Sequence, residues 1–213
     1  MLKGGQSPAG ARAAASHTAS MAGDYTIMHH AFEQCGVIEV FDINELMDIT
    51  RGFSKTRLLS HDAGTAIFTF SGGGGIITSD LLHARAMPVA KLTPHTLKGL
   101  EEIFPEWMAP SHPVDIWPAI ERYGYEKVYG RGIEIIMNDP NVDSLIVHLF
   151  ASRMEVAHLS NLITMKDKLG KPVVAWCAGN GEKLKNFRID LENAGIPVFD
   201  EIVRGVDFLA AFK

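Results

Sequence analysis

From Thr65 onwards, short apolar runs alternate with longer segments whose apolar residues recur every three or four positions. Short apolar runs are typical of buried strands, and the longer spacing is typical of helices that bury one face. The pattern predicts five strands, at 66–70, 89–92, 145–150, 173–178 and 197–199. It also predicts helices at 76–85, 93–103, 119–137, 154–169, 182–194 and 201–212.

Strands that alternate with helices favour a parallel sheet covered on both faces. We therefore expect an α/β fold over residues 61–213, built as a flavodoxin-like, doubly wound, five-stranded parallel sheet.

Residues 24–60 carry a shorter version of the same pattern. Asp24 is a capping residue and Gly36 a helix-ending residue, so a helix is expected between them. A strand is predicted at 37–41, then a second helix, then a linker that begins at residue 54. This order predicts the incomplete helix–strand–helix tail of a preceding α/β subdomain, whose earlier strands the sequence does not contain.

Residues 1–23 are rich in glycine, alanine and serine and nearly free of large apolar side chains. Such a segment cannot order itself by burying apolar surface, so we expect it to be flexible. It is interpreted either as a disordered tail or as a backbone-rich loop that orders around a ligand or against another domain.

Composition narrows the functional classes. With 46% hydrophobic and 21% charged residues and a formal net charge of −5, the chain is typical of a soluble globular protein. It has no lysine- or arginine-rich block, which argues against a nucleic-acid partner. No apolar run approaches the ~18 residues of a membrane span, and no apolar leader is visible, so no membrane association is expected.

Cysteine and histidine usage agrees with an intracellular protein that binds no metal. Cys35 and Cys177 lie outside any C-x-x-C pattern, so free thiols in a reducing cytoplasm are expected. The nine histidines show no metal-ligand spacing.

Four consecutive glycines follow Ser71, directly after the first predicted strand. We expect a tight loop with positive φ angles or a close backbone approach, both of which favour glycine. The carboxyl end of a strand is where open α/β sheets bind ligands, and free N–H groups at the next helix start attract anions. The spacing matches neither G-x-G-x-x-G nor G-x-x-x-x-G-K-[ST]. Both a packing turn and a phosphate-stabilising turn fit the pattern.

His17 is the one histidine in the flexible segment and is flanked by Ser16 and Thr18. Neutral imidazole is a nucleophile near neutral pH, so His17 is a candidate for covalent catalysis, although a solvated loop histidine has the same signature.

The remaining histidines have structural interpretations. His112 begins the segment HPVD, in which Asp115 either caps the following helix or orients a group. His148 interrupts an apolar strand and is expected to be buried with its hydrogen bonds satisfied. His29 and His30 are neighbours on a predicted helix and point apart, which disfavours metal binding.

The segment KGGQSPAGARAAASHT at 3–18 resembles the phosphohistidine segment of NDP-forming acyl-CoA synthetases, relatives of succinyl-CoA synthetase that include ADP-forming acetyl-CoA synthetase. The family pattern is close to K-x-G-x-S-x-x-G-x-x-A-x-x-S-H-T-G-x-x-A-G. It runs on here to Gly23, with Ala19 where the family usually has glycine.

Further segments resemble the family in the same order along the chain. They are AFEQCGVI at 31–38, SGGGGIITSD at 71–80, HPVD at 112–115 in place of the family's N-P-V-D, and DPNVD at 139–143.

The resemblance implies an acid–thiol ligase of the acetate–CoA ligase (ADP-forming) type. Such enzymes reversibly convert acyl-CoA, phosphate and ADP into carboxylic acid, CoA and ATP through a phosphohistidine. The resemblance implies that His17 is phosphorylated, with support from Ser16, Thr18 and Asp115. The residues implied to stabilise the phosphate or phosphohistidine are Gly72, Gly73, Gly74, Gly75 and Ile76.

The resemblance also implies partners. CoA, ADP or ATP with Mg, and the acyl substrate are substrates of the whole enzyme. They are expected to be bound mainly by a CoA-binding domain and an ATP-grasp domain that the 213 residues do not contain. We therefore expect a fragment, a split gene product or one subunit of an oligomer, incomplete on its own.

Two other functions fit the same pattern. One is a non-catalytic α/β interaction or regulatory module derived from this family. The other is a flavodoxin-like binder of FMN or a nucleotide.

Overall fold

The computed structural model describes residues 1–18, 23–53, 59 and 64–213 of the chain. These residues form two compact units, Met1–Arg51 and Gly52–Lys213. Of the predicted linker, residues 54–58 and 60–63 lie outside the described residues, as does the motif position Ala19. The subdomain boundaries expected at residues 23 and 60 stay a prediction.

Three helices form most of the first unit: α1 (Pro8–Thr18), α2 (Tyr25–Gln34) and α3 (Ile43–Phe53), which runs two residues into the second unit. The Asp24 carboxylate accepts hydrogen bonds from the backbone N–H groups of Thr26 and Ile27, which confirms the predicted cap of α2. The strand expected at 37–41 is reduced to an isolated parallel bridge between Val40 and Leu2.

Helix α1 corrects the expectation that residues 1–23 have no regular structure. The Ser7 hydroxyl accepts a hydrogen bond from the backbone N–H of Gly10, and the Ser7 carbonyl accepts one from Ala11. Pro8 follows as the first helical residue, where its missing N–H costs nothing. Alanine has the highest helix propensity, so a run of alanines behind a serine cap forms a helix without a large buried face.

A five-stranded, all-parallel sheet forms the centre of the second unit, in the order β2-β1-β3-β4-β5. Its strands are β1 (Gly64–Thr69), β2 (Val114–Asp115), β3 (Val142–Phe150), β4 (Val173–Ala178) and β5 (Val198–Phe199). This order is that of doubly wound, flavodoxin-like sheets, so the predicted fold class is confirmed.

Helices cover both faces of this sheet. They are α4 (Gly72–Ala84), α5 (Pro94–Leu100), α6 (Trp117–Tyr123), α7 (Tyr125–Met137), α8 (Ser160–Leu169), α9 (Gly181–Asn193) and α10 (Ile202–Ala210), with 3-10 turns at Glu101–Ile103 and Val156–Leu159. Because successive strand side chains point to opposite faces, Phe68 and Val147 join the core under α5–α9, whereas Ile67 and Ile146 join the core under α4 and α10.

The second predicted strand, at 89–92, is wrong. Val89 makes only an isolated bridge with Thr65, because the chain leaves the sheet and reaches the Thr93 cap of α5. The true β2 is a two-residue edge strand that pairs with Phe68 and Thr69.

Two predicted helices are also subdivided. The helix expected at 119–137 breaks at Gly124, where φ is +79°. The helix expected at 154–169 begins as a 3-10 turn. Among the helices in the described ranges, none combines the length and apolar character that a bilayer crossing requires.

Candidate functional site

The turn between β1 and α4 is a helix N-terminus rather than the tight loop expected from its glycines. Helix α4 begins at Gly72, and Ser71 is its N-cap. The Ser71 hydroxyl accepts a hydrogen bond from the Gly74 N–H at 3.2 Å, and the Ser71 carbonyl accepts one from Gly75 at 2.9 Å. None of the four glycines has a positive φ, so that part of the expectation is wrong.

Close approach, and not backbone conformation, accounts for the glycines. A Cβ atom on Gly74 would lie 3.1 Å from His148 Nδ1, and one on Gly75 would lie 3.1 Å from Pro113 Cβ. A Cβ on Gly72 would lie 3.0 Å from Asp115 Oδ2. Only Gly73 has room, since its nearest neighbour would be 4.0 Å away.

Within the described part of the chain, the backbone N–H groups of Gly72 and Gly73 have no hydrogen-bond acceptor. They lie at the carboxyl end of β1 and at the positive end of the α4 dipole, which favours an anion. Gly72 and Gly73 are exposed, and Ile76, one turn further along α4, is 64% exposed, so this end of α4 is open to solvent. Free N–H groups at a helix start are suited to donate hydrogen bonds to an anion.

His148 lies beneath this turn and is fully buried, as the sequence predicted. Its Nδ1 is 2.9 Å from Thr69 Oγ1, and its Nε2 is 3.2 Å from Thr78 Oγ1. Burial lowers the pKa of the imidazole to about 4, so the ring is neutral at physiological pH. Its ring packs edge-on against Trp176.

Residues of the HPVD segment at 112–115 pack against the turn between β1 and α4. His112 Nε2 accepts a hydrogen bond from the backbone N–H of Ile67 at 2.9 Å. Burial lowers the pKa of His112 to about 4, against the opposing charge of Asp139. Asp115, which precedes the N-cap Ile116, accepts through Oδ1 a hydrogen bond from the N–H of Trp117, the first residue of α6, while Oδ2 faces Gly72.

The histidine expected to be phosphorylated and its two sequence neighbours, Ser16 and Thr18, lie in the first unit. His17 is exposed in the last turn of α1. The Ser16 hydroxyl donates a hydrogen bond to the Ala13 carbonyl at 2.8 Å, so it bonds to its own helix. Thr18 is the last residue of α1. His17 and the glycines of α4 are thus described in separate units.

Known proteins match this chain from end to end. The model of the family described as "Succinyl-CoA ligase like flavodoxin domain" matches residues 1–53. Over 98% of the chain, the sequence is 32% identical to acetate–CoA ligase (ADP-forming) II of Archaeoglobus fulgidus. Over 93% of the chain, it is 36% identical to the alpha subunit of acetate–CoA ligase (ADP-forming) II of Pyrococcus furiosus. The chain belongs to the NDP-forming acyl-CoA synthetase family.

This synthetase-family chain corresponds to a part of its relatives, spanning 31% of the length of the first and 43% of the second. A solved structure of acetyl-coenzyme A synthetase 1 from Ca. Korarchaeum cryptofilum, in complex with phosphate and ADP, shares the fold with a TM-score of 0.83. The match covers 99% of this chain and 45% of the solved chain, at 24% sequence identity.

One cluster in this family member was missed by the sequence interpretation. His29 Nδ1 lies 2.6 Å from Glu39 Oε2, and Glu33 approaches the other ring nitrogen at 3.5 Å. The hydrogen bond that His29 donates to the Glu39 carboxylate is the main cause that raises the pKa of His29, and the same bond lowers the pKa of Glu39. Glu39 lies beyond the end of α2, so helical spacing carries no signal of the contact.

No group of three or more histidine, cysteine or carboxylate side chains suited to holding a metal ion occurs in the ranges that the structure describes. The adjacent pair His29 and His30 instead contacts carboxylates, Glu39 and Glu33 respectively.

Proposed function

We propose that this chain is a component of an NDP-forming acyl-CoA synthetase of the acetate–CoA ligase (ADP-forming) type. The reaction interconverts acyl-CoA, phosphate and ADP with a carboxylic acid, CoA and ATP. His17 carries the phosphoryl group between the two half-reactions, and the first turn of α4 stabilises it.

The chemistry balances through one nitrogen of His17. A phosphate oxygen attacks the acyl-CoA carbonyl carbon, CoA leaves with the phosphate proton as the thiol, and an acyl phosphate forms. The imidazole then attacks the phosphorus, and the carboxylate leaves. A terminal phosphate oxygen of ADP finally attacks the same phosphorus, the N–P bond breaks, and ATP departs from the restored imidazole.

The observation that carries this proposal is that the N–H groups of Gly72 and Gly73, at the start of α4, have no acceptor among the residues that the structure describes. A phosphoryl group transferred to and from nitrogen carries negative charge on its oxygens throughout. Fixed N–H groups and a helix dipole stabilise such charge without reorganisation. The close packing at Gly72, Gly74 and Gly75 keeps this turn rigid.

The exposure of His17 supports its assignment as the phosphoryl carrier. Its exposed position on the last turn of α1 leaves the imidazole accessible to reactants. Ser16 supports it by fixing the helix end through Ala13. Thr18 and Asp115 are proposed as further supporting residues.

Other domains or subunits complete the enzyme. We assign CoA to a CoA-binding domain, and ADP or ATP with Mg to an ATP-grasp domain, with the acyl substrate between them. That one relative is named as an alpha subunit supports an assembly of more than one chain.

A labelling experiment tests the proposal. The chain is combined with the complementing domains and incubated with acetyl phosphate labelled at phosphorus. We expect a label that is lost in acid and stable in base on the wild type, none on His17→Asn, and full labelling on His30→Asn. His30 is the matched control because it is an exposed histidine of the same unit. An unlabelled wild type, or equal labelling of His17→Asn, would contradict the proposal.

A further inference from the structure

The ring of His148 connects two points of the α4 turn at once. On the β1 side, Nδ1 contacts the Thr69 hydroxyl, which accepts a hydrogen bond from the Ser71 N–H at 2.9 Å. On the α4 side, Nε2 contacts the Thr78 hydroxyl, which lies 2.7 Å from the Gly74 carbonyl. Ser71 and Gly74 lie on either side of the N–H groups of Gly72 and Gly73.

The protons of this network can be counted. The Thr69 and Thr78 hydroxyls each have one proton, and the neutral ring adds one more. Four contacts call for a proton: the two ring–hydroxyl contacts and the contacts to the carbonyls of Ser71 and Gly74. Because only three protons are available, one ring nitrogen of His148 lacks a proton and must accept a hydrogen bond from the hydroxyl beside it. The tautomer of His148 therefore decides whether Thr69 or Thr78 turns its hydroxyl proton from the carbonyl to the ring.

An apolar side chain at position 148 would fill the same space without forming hydrogen bonds to Thr69 and Thr78. The ring of His148 packs edge-on against Trp176, and a Cβ atom on Gly74 of α4 would lie 3.1 Å from its Nδ1. No charged side chain is a cause of its low pKa, which arises from burial alone. A buried polar ring destabilises the fold unless its hydrogen bonds are made, so the burial of His148 depends on its two bonds to Thr69 and Thr78.

We propose that His148 is a positioning residue for the phosphoryl site, holding the Ser71–Gly74 turn so that the N–H groups of Gly72 and Gly73 point outwards together. This inference rests on the proposed function of that turn. His148 acts through Thr69 and Thr78 and does not touch the phosphoryl group. Its tautomer responds to an anion at the turn, because the anion changes the charge that the Ser71 and Gly74 peptide groups feel.

A matched set of variants separates this role from simple stability. Thr69→Val and Thr78→Val remove one hydroxyl each with little change in volume. Thr65→Val is the control, since Thr65 lies on the same strand and makes a similar buried bond to Ser144 at 2.9 Å. That bond is at the opposite end of β1, away from α4. Each full-length variant is titrated with inorganic phosphate, and the amide shifts of Gly72 and Gly73 are followed by NMR.

We expect the unfolding midpoint to fall to a similar extent in Thr65→Val and Thr69→Val. Phosphate affinity falls about tenfold in Thr69→Val, which corresponds to one lost hydrogen bond. In Thr65→Val it stays within about twofold of the wild type, as is usual for a distant site. The ring ¹⁵N shifts of His148 also change when phosphate is added to the wild type.

The outcomes are distinguishable. Wild-type phosphate affinity in Thr69→Val and Thr78→Val, an equal loss in Thr65→Val, or His148 ring shifts that ignore phosphate would overturn the positioning role while leaving the proposed function intact. If phosphate leaves the amide shifts of the wild type unchanged, the proposed phosphoryl site is itself wrong, and the inference fails with it.

Discussion

A Cβ atom on Gly74 would lie 3.1 Å from Nδ1 of His148 and 3.3 Å from its Cε1. The first turn of α4 therefore lies directly on an imidazole that is itself bonded to β1 and α4. Neither partner can yield easily, since the ring is fully buried and the turn is capped by Ser71. This contact makes glycine a packing requirement at position 74.

Gly74→Ala and Gly73→Ala are expected to change stability in opposite directions. Alanine at 73 meets open space and gains helix propensity, so the free energy of unfolding should rise by about 0.5–1 kcal/mol. Alanine at 74 overpacks against His148, which should lower the free energy of unfolding by about 1–3 kcal/mol despite the same gain in helix propensity. Urea unfolding measures both, and a stabilised Gly74→Ala would contradict this description of the contact.

His112 is expected to matter as an acceptor rather than as an acid or base. His112→Leu leaves the buried N–H of Ile67 without a partner, which should cost about 1–3 kcal/mol of unfolding free energy. His112→Gln keeps an acceptor near the position of Nε2 and should cost less. Equal losses in the two variants, measured by urea unfolding, would show that the hydrogen bond is not what His112 contributes.

Stability of the second unit should fall on mild acidification. The pKa values of His112 and His148 are both lowered to about 4 from 6.5 by burial, so between these values the unfolded chain binds more protons than the folded chain. Their contribution is complete above pH 6.5 and is lost as pH falls towards 4, by up to about 1.4 kcal/mol per pH unit for each histidine.

The tryptophans make this measurement selective, because Trp107, Trp117 and Trp176 all lie in the second unit. Urea midpoints followed by their fluorescence at successive pH values give the slope. His112→Gln should show a shallower slope than the wild type. A midpoint that does not change between pH 6.5 and 5 would contradict the buried, neutral state of both rings.

His29 should titrate above the ordinary histidine range, because the carboxylate of Glu39 stabilises its protonated form. An NMR titration of the ring protons is expected to show a midpoint above 6.5 in the wild type and a lower one in Glu39→Gln. Glu45→Gln is a suitable control, since Glu45 instead accepts a hydrogen bond from the backbone N–H of Phe41. A His29 midpoint that ignores Glu39→Gln would rule out the contact in solution.

Long buried strands were the easiest elements to predict. β3 and β4 are apolar runs because helices cover both of their faces, and the prediction of β4 at 173–178 agrees with the structure. β2 could not be predicted, because a two-residue edge strand has no periodicity. Helix α1 was not predicted from the glycine- and serine-rich composition of its segment, because the helix depends on the alanine run behind the Ser7 cap.

The site was only partly predictable for a related reason. The position of the glycines at the carboxyl end of β1 follows from the alternation of strands and helices. Their contacts with Asp115, Pro113 and His148 depend on residues 38 or more positions away, which local patterns do not report. The network from His148 to Thr69 and Thr78 spans 79 and 70 positions for the same reason.

Locating the phosphoryl group on the protein tests the central claim most directly. The assembled enzyme is exposed to ATP and Mg without acyl acceptor, digested under alkaline conditions, and analysed by peptide mass spectrometry. The account predicts a phosphoryl group on His17 that disappears when ADP is added. A phosphoryl group on another residue, or none at all in an assembly that still turns over, would contradict it.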